Sequence, residues 1–78
     1  MARIKSITVG AVSTVVHPTE VDCEVRKVAP TMGAVLLQLS TFGSADRLSE
    51  PKVSQTIQLD RAAALRLREL IDETFGLA

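Results

Sequence analysis

The sequence predicts an α+β domain in which a four-stranded antiparallel meander sheet is followed by one C-terminal amphipathic helix. Apolar and polar residues alternate with period two over the first three-quarters of the chain, and the last quarter has the 3.6-residue period of a helix. Short connections between successive strands favour an antiparallel order. A chain of 78 residues has room for one core, so residues 1–78 form a single domain, with strands within residues 3–59 and the helix over residues 61–75.

The opening strand carries Ile7 and Val9 on one side, and it continues beyond a bend at Gly10 into residues 13–16. Pro18 ends this strand, because proline has no N–H to donate to a central ladder. Residues 19–28 then show the cleanest alternation in the chain and predict the second strand.

The apolar side of the second strand carries Val21, Cys23 and Val25, and its other side is acidic and basic. Pro30 and Gly33 predict a turn, because proline fixes one dihedral angle and glycine is free to adopt a positive φ. The second and third strands are therefore expected to form a hairpin.

Residues 34–42 predict the third strand and residues 52–59 the fourth, joined by a long polar loop over residues 43–51. The two strands place apolar residues on the side that faces the core: Val35, Leu37, Leu39, Val53, Ile57 and Leu59. Gln55 interrupts this apolar side.

Asp60 is the predicted N-cap of the helix, because its carboxylate accepts from free amides of the first turn. Gly76 suits the position just after the helix end. One continuous arc of the helix is expected to lie on the sheet: Ala63, Ala64, Leu67, Leu70, Ile71, Thr74 and Phe75.

Composition indicates that this small domain needs a second copy. Nine Lys and Arg balance nine Asp and Glu, so no overall field attracts polyanions or membranes. Domains of this size usually need a disulfide, a metal or a partner subunit, and Cys23 alone forms no internal disulfide. We therefore expect a homodimer, with Leu65 as a dimer contact because it lies among charged residues on the far side of the helix.

The N-terminus lacks the apolar run of a signal peptide, and no stretch is long enough to span a membrane, which favours a cytoplasmic protein.

The sequence does not predict an enzyme, a cofactor or a metal site. His17, Glu20, Asp22 and Cys23 are close in sequence, but alternation along a strand turns the two acids away from the thiol. One His and one Cys without an orienting partner are poor evidence for a catalytic dyad.

The side of the sheet opposite the apolar side predicts a binding surface. It combines hydrogen-bonding groups with few charges, whereas a surface that serves solubility alone usually carries more charge. The candidate binding residues, including two from the loop and its end, are Arg26, Gln38, Ser40, Phe42, Arg47, Lys52, Ser54, Thr56 and Gln58.

The run from Lys52 to Asp60, which leads into an amphipathic helix after a polar loop, resembles the transcriptional coactivator family called positive cofactor four. That resemblance implies a homodimer that binds single-stranded nucleic acid. Residues 51–75 carry this likeness. The same stretch, with residues 17–23 and 37–44, is also similar to a set of short proteins of actinobacteria and their phages, and this likeness implies no activity.

Two functions are therefore expected. In the first, a homodimeric module binds single-stranded nucleic acid across the polar side of the sheet, with Arg26, Arg47 and Lys52 on phosphates and Phe42 as a stacking plane. In the second, a protein-interaction or adaptor module pairs an exposed strand or its polar face with another chain. Neutral net charge favours the second function, and the topology favours the first.

Overall fold

The computed structural model describes residues 1–43 and 53–77 and confirms an α+β fold with four strands and a C-terminal helix. In chain order the elements are β1 (Ala2–Arg3), β2 (Cys23–Val28), β3 (Leu36–Phe42), β4 (Val53–Leu59) and α1 (Arg61–Phe75). The predicted loop over residues 43–51 lies almost wholly outside the described residues. Within residues 1–43 and 53–77, no helix is both long and apolar enough to cross a membrane.

The sheet is mixed, so the prediction of an entirely antiparallel meander is wrong. The strand order is β1-β4-β3-β2, and β1 pairs with β4 in parallel. A parallel pair needs a crossover connection of about a dozen residues or more. Residues 4–52, which include β2 and β3, connect β1 to β4 and supply that length. The stretch between β1 and β2 carries the chain from one edge of the sheet to the other. β2, β3 and β4 do form an antiparallel meander, as predicted.

The opening strand is also far shorter than predicted. β1 ends at Arg3, after which the amide of Ile4 still donates to the carbonyl of Gln58. Residues 5–22 belong to no strand, although they include Ile7, Val9 and residues 13–16. The prediction of a strand over this segment is therefore wrong. Alternation favours a strand, but a strand also needs a neighbouring strand, and the described part of the chain provides none for this segment.

The pairing of β2, β3 and β4 sorts their side chains onto two faces. Val25, Leu39 and Ile57 are directly opposite one another across the three strands, and so are Arg26, Gln38 and Gln58. Because residues that are paired across a ladder share a face, the apolar and polar sides predicted for β2 and β3 are confirmed. We call the surface formed by Val25, Leu37, Leu39, Ile57 and Leu59 the apolar face.

A register shift near the start of β4 changes the face of one predicted residue. Thr41 pairs with Gln55, whereas Phe42 pairs with Val53, which leaves Ser54 as the extra residue of a bulge. A bulge reverses the alternation beyond it, so Val53 falls on the side of Phe42 rather than with Ile57 and Leu59. The prediction that Val53 belongs to the apolar side is therefore wrong.

Both predicted helix caps are present. The Asp60 carboxylate accepts from the amide of Ala63 at 2.8 Å, and the helix begins at the next residue, Arg61. Gly76 follows the helix with φ of 65° and donates its amide to the carbonyl of Asp72. A residue with a Cβ is strained in this left-handed conformation, which explains the preference for glycine at this position.

The apolar core of the described chain is very small. Leu59 and Ala63, at the junction of β4 and α1, are its buried apolar residues. The contacts of α1 with the sheet are mainly with β4. Along the helix, Leu67 and Leu70 are half-buried, and Phe75 is exposed. The predicted apolar arc therefore exists, but the sheet of the same chain covers mostly its N-terminal part.

Candidate binding surfaces

Six polar side chains form a compact group on the side of the sheet opposite the apolar face. Two neighbouring rows of cross-strand partners bring them together, one from each of β2, β3 and β4 in each row. We call this group the polar ladder; it consists of Glu24, Arg26, Gln38, Ser40, Thr56 and Gln58. Five of these six residues are among the candidate binding residues predicted from the sequence, and Glu24 is the addition.

A continuous series of side-chain hydrogen bonds connects four members of the polar ladder. Gln58 Nε2 donates to Gln38 Oε1 at 2.9 Å, and Gln38 Nε2 donates to Ser40 Oγ at 3.4 Å. The hydroxyls of Ser40 and Thr56 are 3.3 Å apart. These bonds connect β3 to β4 through side chains as well as through the backbone, so the positions of the two amide groups are fixed by their neighbours.

The centre of the polar ladder is the most buried polar region of the described chain. Ser40 is 4% exposed and Thr56 is 6% exposed, and each hydroxyl has a hydrogen-bond partner. A buried hydroxyl that is satisfied in this way costs little, whereas an unpaired one is expensive. A ligand on this face would therefore meet the half-buried amides of Gln38 and Gln58 rather than the two hydroxyls.

Charge on this face is nearly balanced. Arg26 lies 2.8 Å from the Glu24 carboxylate, and both side chains remain largely exposed to solvent. An exposed ion pair of this kind contributes little to stability. Its main consequence is electrostatic, because the carboxylate competes with any anionic ligand for the Arg26 guanidinium.

Arg3 is a further cation at this face that the sequence did not indicate. β1 pairs Arg3 with Gln58, so the two residues share a face of the sheet. Arg3 also lines a shallow depression together with Ile4, Lys5 and Asp60. No periodicity in the sequence could have shown this position, because it depends on a parallel pairing between residues 55 positions apart in the chain.

The remaining candidate residues differ in their placement. Phe42 is half-buried at the end of β3, on the side of the polar ladder. Ser54 is separated from the ladder by the bulge, and its hydroxyl lies 3.0 Å from Thr41 Oγ1.

Two of the candidate binding residues, Arg47 and Lys52, lie outside the described residues. Leu65 on α1 is partly exposed, and its role as a dimer contact stays a prediction.

The apolar face is the second candidate surface, and several of its side chains are exposed to solvent. Val25 is 58% exposed, Leu37 38% and Ile57 37%, although each lies on the side that the sequence assigned to the core. Contiguous exposed apolar surface on a small domain marks an interaction site. The side predicted to be core is therefore more accessible than the centre of the side predicted to bind ligands.

Among residues 1–43 and 53–77, no group of three or more His, Cys, Asp and Glu side chains is placed to hold a metal ion. Cys23 is a free, exposed thiol at the start of β2.

In comparisons with known proteins, no family model, no curated protein and no solved structure matches this chain. The resemblance to positive cofactor four stays a prediction.

Proposed function

We propose that this chain is a homodimeric binding module in which two copies cover each other's apolar faces. The exposure of Val25, Leu37 and Ile57, which sit together across three strands, carries this proposal. A second copy is the natural occupant, because a twofold interface brings the same apolar surface from both sides.

The surface area of the single chain supports the same proposal. The accessible surface is 7066 Å², whereas a compact monomer of 8.4 kDa is expected to expose about 4,600 Å². The radius of gyration is 15.0 Å, against about 11.5 Å for a compact domain of this length. The exposed residues 5–22 and the apolar face both contribute to this excess of about 2,500 Å², and obligate homodimer interfaces are of comparable size.

The dependence of thermal stability on concentration tests this proposal. If dimerisation supplies the missing core, the melting temperature rises with protein concentration, because association stabilises the folded state by mass action. A cooperative melting transition at a temperature that is independent of concentration would contradict the proposal. We also propose a cytoplasmic location, which a chain with Cys23 as its one cysteine favours.

The ligand that we propose for this module is single-stranded nucleic acid, bound across the polar ladder. The specific observation in its favour is that Arg26, Gln38 and Gln58 lie in one row, with Arg3 beside Gln58. Their amides offer donors and acceptors to base edges, and Phe42 at the end of β3 offers a stacking plane.

Salt titrations of a fluorescently labelled oligonucleotide test this ligand. With Arg26, Arg47 and Lys52 on phosphates, the logarithm of the association constant should fall with the logarithm of salt concentration with a slope of about −2. The substitution Arg26→Gln should flatten that slope by about 0.7. The matched substitution Glu24→Gln should strengthen binding, because it frees the Arg26 guanidinium from its carboxylate partner.

Binding that is absent at low salt, or that does not respond to salt, would refute the nucleic-acid proposal. The adaptor function would then be the remaining expectation. Within residues 1–43 and 53–77, β2 is an edge strand, and an edge of this kind favours that function because it can receive a strand from another chain.

A further inference from the structure

Residues 5–21 form a long connection whose backbone has no ladder partner in the described chain. Ile4 before this connection donates to Gln58, and Asp22 after it accepts from Phe42. Between these two anchors, the amide of Val15 donates to the Ser13 hydroxyl at 3.2 Å, and no backbone–backbone hydrogen bond joins residues 5–21 to another described residue. Connections of this length without secondary structure are uncommon in small domains and usually have a function.

The composition of this connection is that of a β-strand rather than of a solvated loop. It is rich in Ile, Val and Thr, the residues that favour strands. Several of its valines are almost fully exposed; Val12 is 97% exposed and Val16 is 87% exposed. A segment that is both β-forming and apolar, yet unpaired, is incomplete as an element of a single chain.

The outer edge of β2 has the complementary property. Because Phe42 donates to the carbonyl of Asp22, the hydrogen-bonded pairs toward β3 fall on Asp22 and then on every second residue. The backbone groups of Cys23, Val25 and Lys27 consequently point away from β3. Within the described residues, no strand lies on that edge.

A strand added at this edge would also extend the apolar face. The row of Ile57, Leu39 and Val25 runs across the sheet and stops at β2. An added strand with alternate apolar side chains, such as Ile7 and Val9, would continue this row and cover the exposed flank of Val25.

We propose that residues 5–16 of one copy add as a β-strand to the outer edge of β2 in a second copy, and that the two copies exchange these segments reciprocally. This inference rests on the proposed homodimer, for which it names the exchanged segment and the edge that receives it. Within the described residues, no segment of the same chain occupies that edge, because residues 5–21 make no backbone hydrogen bond to β2.

Hydrogen exchange at two protein concentrations tests the exchange directly on the unmodified chain. Amides of residues 5–16 should be protected in the dimer and should exchange rapidly once dilution separates the copies. A dimer in which these amides remain unprotected would overturn the exchange and leave the homodimer intact. Protection that persists in the diluted monomer would overturn it in favour of pairing within one chain. A chain that stays monomeric at every concentration would overturn both proposals.

A pair of neighbouring proline substitutions provides an independent test. Successive amides along a strand point to opposite edges, so one of Thr8→Pro and Val9→Pro must remove a donor that faces β2. Since the change occurs in both copies, the more affected variant should raise the dimer dissociation constant by roughly tenfold or more. The controls Thr8→Ala and Val9→Ala keep the amide. Equal dissociation constants for each proline variant and its alanine control would contradict the exchange.

Discussion

Substitution of Val25 by lysine is expected to weaken the association of the two copies while changing the stability within each chain very little. Val25 lies in the middle of β2 and is 58% exposed in the single chain. A surface substitution of this kind usually changes the free energy of unfolding by no more than about 0.5 kcal/mol. In the proposed dimer the same side chain is covered by the second copy, so the ammonium group would be forced into an apolar interface.

The expected magnitude follows from the exposed fraction. Full burial of a valine side chain is worth about 1.5–3 kcal/mol, and the partner would supply somewhat more than half of that for Val25, or about 1 kcal/mol. Both copies carry the substitution, so the loss is at least about 2 kcal/mol, which is about 25-fold in the dissociation constant. Desolvation of two ammonium groups adds to this loss.

Subunit exchange between donor-labelled and acceptor-labelled chains, followed by energy transfer over a dilution series, measures this dissociation constant. The control Thr31→Lys adds the same charge at an exposed position of the turn between β2 and β3. It should leave the dissociation constant within about twofold, since isolated surface charges contribute little. If Val25→Lys and Thr31→Lys have equal dissociation constants, the apolar face is not the interface.

Three further predictions concern single contacts. Asp60→Ala should lower the free energy of unfolding, measured by urea denaturation, by about 1 kcal/mol, because it removes the acceptor of the Ala63 amide. Asp60→Asn should lower it by only a few tenths of a kcal/mol, and equal losses would refute the capping role. Thr56→Val should also lower the free energy of unfolding by about 1 kcal/mol, because the buried Ser40 hydroxyl loses one of its hydrogen-bond partners. In a double-mutant cycle, Ser40→Ala should lower it less in the Thr56→Val background than alone, and strictly additive losses would contradict the coupling of the two hydroxyls. The Cys23 thiol, exposed in the single chain, should react more slowly with a disulfide reagent as protein concentration rises, and a rate that is independent of concentration would argue against strand addition at β2.

The elements that the sequence predicted well are those with local causes. α1 begins and ends as its caps predict, because Asp60 and Gly76 act on backbone groups within a few residues. β3 and β4 match their alternating patterns to within two residues at each end, because each has a neighbour in the meander.

The errors have non-local causes. The parallel pairing of β1 with β4 and the bulge at Ser54 depend on how distant segments meet, which alternation along one strand does not encode. Residues 5–16 have the pattern of a strand, but a pattern does not specify whether the partner strand comes from the same chain. For the candidate site, alternation correctly grouped Arg26, Gln38 and Gln58, and it gave no sign that the apolar face would remain exposed.

Sedimentation equilibrium of the unmodified chain over a wide range of concentrations shows whether two copies associate. We expect a molar mass twice that of the 8.4 kDa chain, with dissociation on dilution accompanied by loss of the cooperative fold. A stably folded monomer of 8.4 kDa at every concentration would contradict it, because a single copy would then be stable with Val25, Leu37 and Ile57 exposed.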